Sequence, residues 1–453
     1  MTSVSLTWVG VLQDPIRALV VAALAAEQGH DWNLASSLYQ ALRDCCGADH
    51  RVTANLASVC WYADRPLEAR KWYAESAALA PEDPLPWRGL GNALRDCNRF
   101  EVADRAYGRS LALGDLPLTR WNHSQLLQGL ERYPEAYGLA EARFDHPGFE
   151  GYRPSHGRGG PSIGPNPPPQ LAIWSEQGFG DTLQYLRWCV PLQAQESSEA
   201  SASAVVLEVE PCLERLVQFG LGWLSSPPSV RSKTTTPESL APQGLHCSLL
   251  SLPHHLGGAP LAGVFEPTQR FGHWSGYLRS YAWPLAGNHH RPRIGLVWAA
   301  GRKLDDPFTA REYRKRSLPP EALAALIKGL HGQGAELSHL QIGPDRDQAK
   351  PWADSFVDAL PAQADFADTA AWIRQLDLLI SADTASAHLA GALGHPCWML
   401  LPYSADPRWL RDRNDSPWYP SLRLFRQPQT GQWQPVIEQV LSAFRPWWQQ
   451  ASG

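Results

Sequence analysis

Small and aromatic residues recur through the first 145 positions with a near-constant period. Ala35, Ala69, Ala103 and Ala136 are separated by 34, 34 and 33 residues, and Tyr39, Tyr73 and Tyr107 follow the first three at a fixed offset of four. Between them the apolar positions keep helical spacing: Leu56, Val59 and Cys60 in one unit, Leu90, Gly91 and Leu94 in the next. Pro81 closes the second unit. This period predicts pairs of helices, each pair stacked on the next. The alanine is small because two helices approach closely there, and the aromatic four residues on shares its face. A helical bundle with accidental spacing is the competing interpretation, and three near-equal intervals argue against it. The units near 16–49 and 117–146 are more degenerate, as terminal repeats often are. Such a stack offers a concave surface to a protein or peptide, or acts as a rigid spacer or dimerisation face.

The helical pattern ends near 146. Gly157-Arg-Gly-Gly-Pro161 and Pro167-Pro-Pro169 break both the helical and the strand period. Residues 147–169 therefore read as a linker after a helical domain at 1–146. Beyond it, short apolar runs alternate with helical patterns. Strands are expected at 171–174, 204–209 and 245–252, with helices at 181–193 and 211–219. The Ser/Pro/Thr-rich stretch 224–242 reads as a loop. A second series starts at 293–298, with further strands at 337–342, 377–381, 397–401 and 422–425. Helices are expected at 319–330, 385–393 and 433–447, the middle one stopping at Gly394. This alternation predicts parallel sheets, in two Rossmann-like halves at 170–288 and 289–453 with a cleft where strand carboxyl ends meet ligand.

Composition narrows the functional classes. The chain has 453 residues, more than one core usually holds, 44 % of them hydrophobic and 19 % charged. Its net charge of −5 and lack of a basic stripe argue against a nucleic-acid partner. Eight scattered cysteines without a C-x-x-C pair argue against a zinc ribbon and suit a reducing, cytoplasmic setting. The N-terminus has no basic region before its apolar stretch, so no signal peptide is expected. No uncharged apolar run approaches the roughly 20 residues that span a bilayer.

Three segments carry candidate chemistry. In Ser381-Ala-Asp-Thr-Ala-Ser-Ala-His388, a buried strand turns directly into a helix. The amides at such a helix start suit a diphosphate. If Thr384 caps the helix, His388 lies four residues on along the same face. The bland alternative makes Asp383 or Thr384 a simple N-cap and His388 a satisfied helix histidine. In Trp174-Ser-Glu-Gln-Gly-Phe-Gly-Asp181, Gly178 and Gly180 would let the backbone pass close to a ligand. Asp181 then either takes a proton from an acceptor hydroxyl or forms a capping box with Gln184. The glycines do not fit G-x-G-x-x-G. The third segment, Arg311-Glu-Tyr-Arg-Lys-Arg316, reads as loop cations that could neutralise a leaving diphosphate, or as solvated surface. Asp345-Arg-Asp347 is a D-x-D string with no supporting ligand set. The His254-His255 and His289-His290 pairs lack a metal-ligand partner at helical spacing and read as loop residues, so no metal is expected.

The periodic region resembles the tetratricopeptide repeat, with Trp87, Leu90, Gly91, Leu94, Ala103 and Tyr107 giving the best single match. The 174–190 and 377–420 blocks and the Arg-Ser-Leu-Pro segment at 316–319 occur in the order found in repeat-containing bacterial glycosyltransferases of heptosyltransferase type. They are also distantly similar to O-linked N-acetylglucosamine transferases. Leu401-Pro-Tyr-Ser-Ala-Asp-Pro407 and Asp415-Ser-Pro-Trp-Tyr-Pro420 add to the match. The resemblance implies a GT-B fold and inverting, metal-independent transfer from a nucleotide sugar to a protein or glycan hydroxyl. No cofactor is implied beyond that donor substrate. Asp181 would be the general base. Asp383, Thr384 and His388 would hold the donor nucleotide and diphosphate, Lys315 or Arg316 would steady the leaving phosphate, and Gln177, Gly178 and Gly180 would line the donor side. A peptide or protein would occupy the repeat groove. The alternative is a repeat scaffold with an inert transferase-like half.

Overall fold

The computed structural model describes residues 14–146, 170–190, 204–233, 245–256, 276–280 and 291–451. The segment read for a signal peptide, the Pro/Gly linker and the His289-His290 pair lie outside them. Contacts divide the chain into two compact units. One comprises Met1–Glu131, Lys303–Lys315 and Asp406–Arg408; the other comprises Arg132–Arg302, Arg316–Ala405 and Trp409–Gly453.

The first unit is built on α1 (Asp14–Gln28), α2 (Trp32–Cys46), α3 (His50–Tyr62), α4 (Pro66–Leu79), α5 (Pro84–Asp96), α6 (Phe100–Leu113) and α7 (Pro117–Gly129). The expected repeat is present. Ala35, Ala69 and Ala103 are fully buried on α2, α4 and α6, where neighbouring helices meet. Gly91 is pressed against the Tyr107 ring, so a Cβ there would lie 2.6 Å from Cε1. The hydroxyl of Tyr107 donates to Asn92 Oδ1 at 2.7 Å. A further periodic feature lies in the turns. His30, Asp64, Asn98 and Glu131 each adopt a left-handed conformation, with φ of 59°, 57°, 56° and 58°. Asp64 and Asn98 follow the helix end, and the next residues, Arg65 and Arg99, donate back to the Cys60 and Leu94 carbonyls. These bonds use carbonyls that the helix end would leave unpaired.

The basic segment is not a loop. Residues 311–316 end a helix, α8 (Pro307–Arg316), and its Arg311 is fully buried in the first unit. Arg311 pairs with Asp96 at 2.7 Å and Asp64 at 2.9 Å, and its guanidinium lies 4.2 Å from the Trp61 ring centroid. Burial raises the Asp96 pKa, but Arg311 and Arg95 outweigh it and hold the carboxyl well below the usual range. These are structural ion pairs, so Arg311 has no charge to spare for a diphosphate.

The second unit begins with a helix at Tyr133–Ala140, the second half of the expected fourth repeat. Two all-parallel sheets follow. The first has strands β1 (Gln170–Trp174), β2 (Ala204–Val209), β3 (Ser229–Ser232) and β4 (Leu245–Ser248) in the order β3-β2-β1-β4. The second has β5 (Arg293–Val297), β6 (Glu336–His339), β7 (Phe356–Ala359), β8 (Leu378–Ala382), β9 (Cys397–Leu401) and β10 (Leu422–Arg426) in the order β10-β9-β8-β5-β6-β7. Each order reverses beside its first strand, as in Rossmann-like folds. The stretch expected as one loop, 224–242, contains edge strand β3, which pairs parallel with β2. Strands β8 and β9 are buried at every position, as central strands of a parallel sheet are. The expected 385–393 helix is α9 (Ala385–Ala392). It ends at Gly394, φ 68°, with His395 N–H donating to the Ala390 carbonyl and Gly394 N–H to that of Gly391.

Candidate active site

Two strand-to-helix turns in the second unit carry the candidate residues. At the first, β1 leads through Ser175–Gly178 into the helix Phe179–Tyr185. This helix starts two residues earlier than expected, so Asp181 is not its N-cap and does not box with Gln184. Asp181 sits in the third helical position, and its Oδ2 accepts the N–H of the cap residue Gly178 at 3.1 Å. The glycines also differ from expectation. The left-handed residue is exposed Gln177, φ 64°, while Gly178 is extended. Gly180 is small because the imidazole of His388 lies against it: a Cβ there would be 2.8 Å from His388 Cδ2.

Behind this turn lies a buried ion pair absent from the sequence reading. Glu176, with a fully buried side chain, accepts from Arg143 Nη2 at 2.6 Å and from the Ser248 hydroxyl. Arg143 also donates to Glu141 at 2.8 Å and Ser251 at 2.7 Å. Arg143 and Ser248 thus fix the residue two before Gly178, and Glu141 and Ser251 hold Arg143 in turn. Glu176 stood inside the quoted motif, but its partner lies 33 residues upstream, beyond any local pattern.

The second turn connects β8 to α9. Thr384 takes the extended backbone of an N-cap, yet no side chain caps the helix. The Thr384 hydroxyl bonds Ser381 Oγ at 2.9 Å instead, and Asp383 Oδ2 accepts the indole N–H of Trp409 at 3.0 Å. The N-cap reading of Asp383 and Thr384 therefore fails at the level of their side chains. His388 is 4 % exposed; its Nδ1 is 2.9 Å from the Tyr419 hydroxyl and its Nε2 3.9 Å from Asp383 Oδ1. Arg316 Nη1 donates to the Asp383 carbonyl at 3.3 Å. Lys315 instead pairs with Glu312 at 2.7 Å. Of the two candidate cations, Arg316 is the one at the β8–α9 turn.

The structure thus brings Gly180, Asp383, Thr384, His388 and Arg316 together, with Asp181 next to Gly180. Tyr419, Trp409 and Arg187 were not singled out from the sequence. Tyr419 lies in the quoted 415–420 block, but a buried aromatic there reads as core. The D-x-D carboxylates go separate ways: Asp345 is buried and bonded by Gln348 at 2.9 Å, and Asp347 pairs with Lys350 at the surface. His254 and His255 lie on a short helix, Leu252–His255, not in a loop.

The architecture is thus helical repeats of tetratricopeptide type and two parallel-sheet Rossmann-like halves. No family model matches the chain. It is 29 % identical over 419 residues to Protein FlbA of Caulobacter vibrioides, an alignment spanning 83 % of this chain and 63 % of that protein. The chain thus covers less than two thirds of the length of that relative. Among solved structures, the chain is similar to ADP-heptose lps heptosyltransferase II of E. coli at 11 % identity, covering 63 % of this chain and 100 % of that one, TM-score 0.41. It is also similar to a mutant O-GlcNAc transferase of Thermobaculum terrenum at 14 % identity, covering 98 % and 95 %, TM-score 0.32. Helical repeats of the Sgt2 TPR domain from Aspergillus fumigatus match 26 % of this chain at 17 % identity, TM-score 0.26. At those scores the fold class stands on the helices, strand orders and turns of the chain itself. No helix among the described residues is long and apolar enough to cross a membrane.

Proposed function

We propose that this chain is a glycosyltransferase that moves a sugar from a nucleotide sugar to a hydroxyl of a protein or glycan, with inversion, without a metal and in the cytoplasm. The observation that carries this is the start of α9. It is an N-terminus left without a side-chain cap, with Arg316 on one side and the His388–Asp383 pair on the other. Unspent amides and a helix dipole favour an anion there, and a guanidinium adds charge. Packing of Gly180 against His388 puts the helix bearing Asp181 alongside.

In this mechanism the diphosphate of the donor lies at the α9 start. Asp181 takes the proton of the acceptor hydroxyl as its oxygen bonds to the anomeric carbon from the face opposite the diphosphate. The bond to the leaving oxygen breaks, and its electron pair departs on the diphosphate, stabilised by Arg316 and the amides. Gln177 and Gly178 border the turn that leads to Asp181, and the repeats take a protein or peptide. A thermal-shift panel with ADP, GDP, UDP and CDP tests the donor site. A nucleotide at 100 times its Kd adds roughly 2.7 kcal/mol of stability. No shift with any nucleotide would favour the alternative, a repeat scaffold with an inert transferase-like half. Turnover that survives a chelator would support metal independence.

A further inference from the structure

On the helical repeats, one arginine departs from its neighbours. Arg95 and Arg311, drawn into the same unit, are each matched to Asp96, at 3.3 and 2.7 Å. Arg88 of α5 is half-buried as well, yet among the described residues it makes no ion pair or hydrogen bond. Burial is the largest influence on it and pulls its pKa below the ordinary arginine value. The phenols of Tyr73, Tyr107 and Tyr62 act on it next, and Asp83 more weakly than any of them. Asp83 Oδ1 already accepts the Leu85 N–H at 3.0 Å. Burial pushes Tyr73 and Tyr107 up to about 12 and raises Tyr62 too, so the phenols stay neutral and none balances the guanidinium. A cation drawn out of water without a counter-ion destabilises the chain that carries it.

The groups around Arg88 add donors, not acceptors. Arg88, Asn92 and Arg95 stand at i, i+4 and i+7 on α5 and share one face. Next to that face is α7: Asn122 Nδ2 donates to Asn92 Oδ1 at 3.1 Å, and Arg95 Nη1 to Gln125 Oε1 at 3.3 Å. The Tyr107 hydroxyl donates to the same Asn92 oxygen at 2.7 Å. With that oxygen taking two donors, what Asn92 still offers is its Nδ2, one helical turn from Arg88. Asp96, a turn beyond Asn92, is engaged by Arg95 and Arg311. Gly89 and Gly91 let the Tyr73 and Tyr107 rings lie against α5, where any Cβ would collide with them. A guanidinium fork and an amide N–H beside neutral aromatic rings are the chemistry that recognises a carboxylate.

We propose that Arg88 and Asn92 seat a carboxylate side chain, an aspartate or glutamate, of the protein segment that the repeats take. The guanidinium meets both carboxylate oxygens, and Asn92 Nδ2 adds a donor to one of them. The incoming acid supplies the counter-ion that Arg88 lacks. This seat rests on the reading that the repeats take a protein or peptide, and it needs neither nucleotide nor transfer.

The test uses the full chain without nucleotide and an array of short random peptides, acetylated and amidated so that only side chains carry charge. The tightest binder is then labelled with fluorescein and titrated by anisotropy. It should contain Asp or Glu, and exchanging that residue for Asn or Gln should weaken binding about tenfold. Arg88→Met should weaken the acidic peptide by the same factor and its amide counterpart not at all. Arg88→Lys, which keeps the charge and lacks the fork, should restore part of the loss. Asn92→Asp keeps an acceptor for Tyr107 and Asn122 but sets a carboxylate near Arg88, so it should abolish the preference for acid. Without peptide, Arg88→Met should melt no lower than the wild type, because it removes an unbalanced charge. A clearly lower melting temperature would make Arg88 structural and overturn the seat. Equal binding of the acidic and amide peptides, or an acid preference that survives Asn92→Asp, would also overturn it while leaving the peptide groove standing. No binder on the array would end both. A wild-type dimer dissolved by Arg88→Met would assign the seat to a second copy of the chain and overturn the peptide. Absence of nucleotide binding would strike the donor-site proposal alone.

Discussion

The two turns of the second unit read alike in sequence and finish differently. Both run from a buried strand through a short polar stretch into a helix, with an aspartate close to the helix start. After β1 the aspartate turns back and takes the N–H of Gly178, so this helix start is closed by its own carboxylate. After β8 the aspartate turns away to Trp409 and the threonine to Ser381, so α9 starts open. The difference lies in what each turn meets. Asp181 reaches back to the Gly178 N–H of its own turn, while Asp383 and Thr384 find partners on a neighbouring segment and on the strand. A helix start becomes an anion site when tertiary contacts divert its capping side chains elsewhere.

The largest expected effect falls on the closed turn. Asp181→Asn keeps an oxygen that can accept from Gly178, so thermal stability should change little. Loss of a general base should still cut transfer by about 10²–10⁴-fold, with nucleotide affinity intact. Turnover near wild type in that variant would remove Asp181 from the chemistry. Next in size is the support beneath that turn. Arg143→Met leaves Glu176 buried and unpaired, a loss of about 3–5 kcal/mol by chemical denaturation. A loss under about 1 kcal/mol would show that the ion pair does not hold the loop.

A smaller effect is expected where the turns touch. Gly180→Ala should push on the His388 ring, costing about 1–3 kcal/mol and weakening nucleotide binding. An unchanged nucleotide affinity would separate His388 from the donor site. The smallest effect concerns the far end of α9. Burial, aided by Arg374, lowers the His395 pKa to about 3 from an ordinary value near 6.5. Between those values the unfolded chain binds a proton that the folded chain refuses. Stability therefore falls as pH drops through that window, by about 1.4 kcal/mol per pH unit for this group, and is unaffected above it. Urea titrations of wild type and His395→Gln from pH 7 to 4.5 should differ by that slope, with the variant flatter.

Much of the fold could be read locally. Ala35, Ala69 and Ala103 announce the repeat because close helix approach admits only a small side chain. The left-handed turn residues do not announce themselves, since His30 and Glu131 are not turn formers; the carbonyls of the preceding helix impose the conformation. Edge strand β3, Ser-Val-Arg-Ser, has no alternation of apolar residues to betray it and forms by pairing with β2. Arg311 looked like a loop cation because the carboxylates that bury it lie 215 and 247 residues away. At the site, the positions of Asp181, Asp383, Thr384 and His388 were visible as two strand-to-helix turns. The partners of Asp383 and His388 were not, since Trp409 and Tyr419 come from remote segments, as does Arg143, which holds Glu176.

The contrast between the two turns is tested most directly by amide shifts in the 15N-labelled full chain as a nucleoside diphosphate is titrated in. Saturable shifts at the Ala385 and Ser386 N–H groups, with Phe179 and Gly180 moving far less, are the expected result. Saturable shifts confined to other regions of the chain, or none with any nucleotide, would contradict the assignment of the open turn as the diphosphate site.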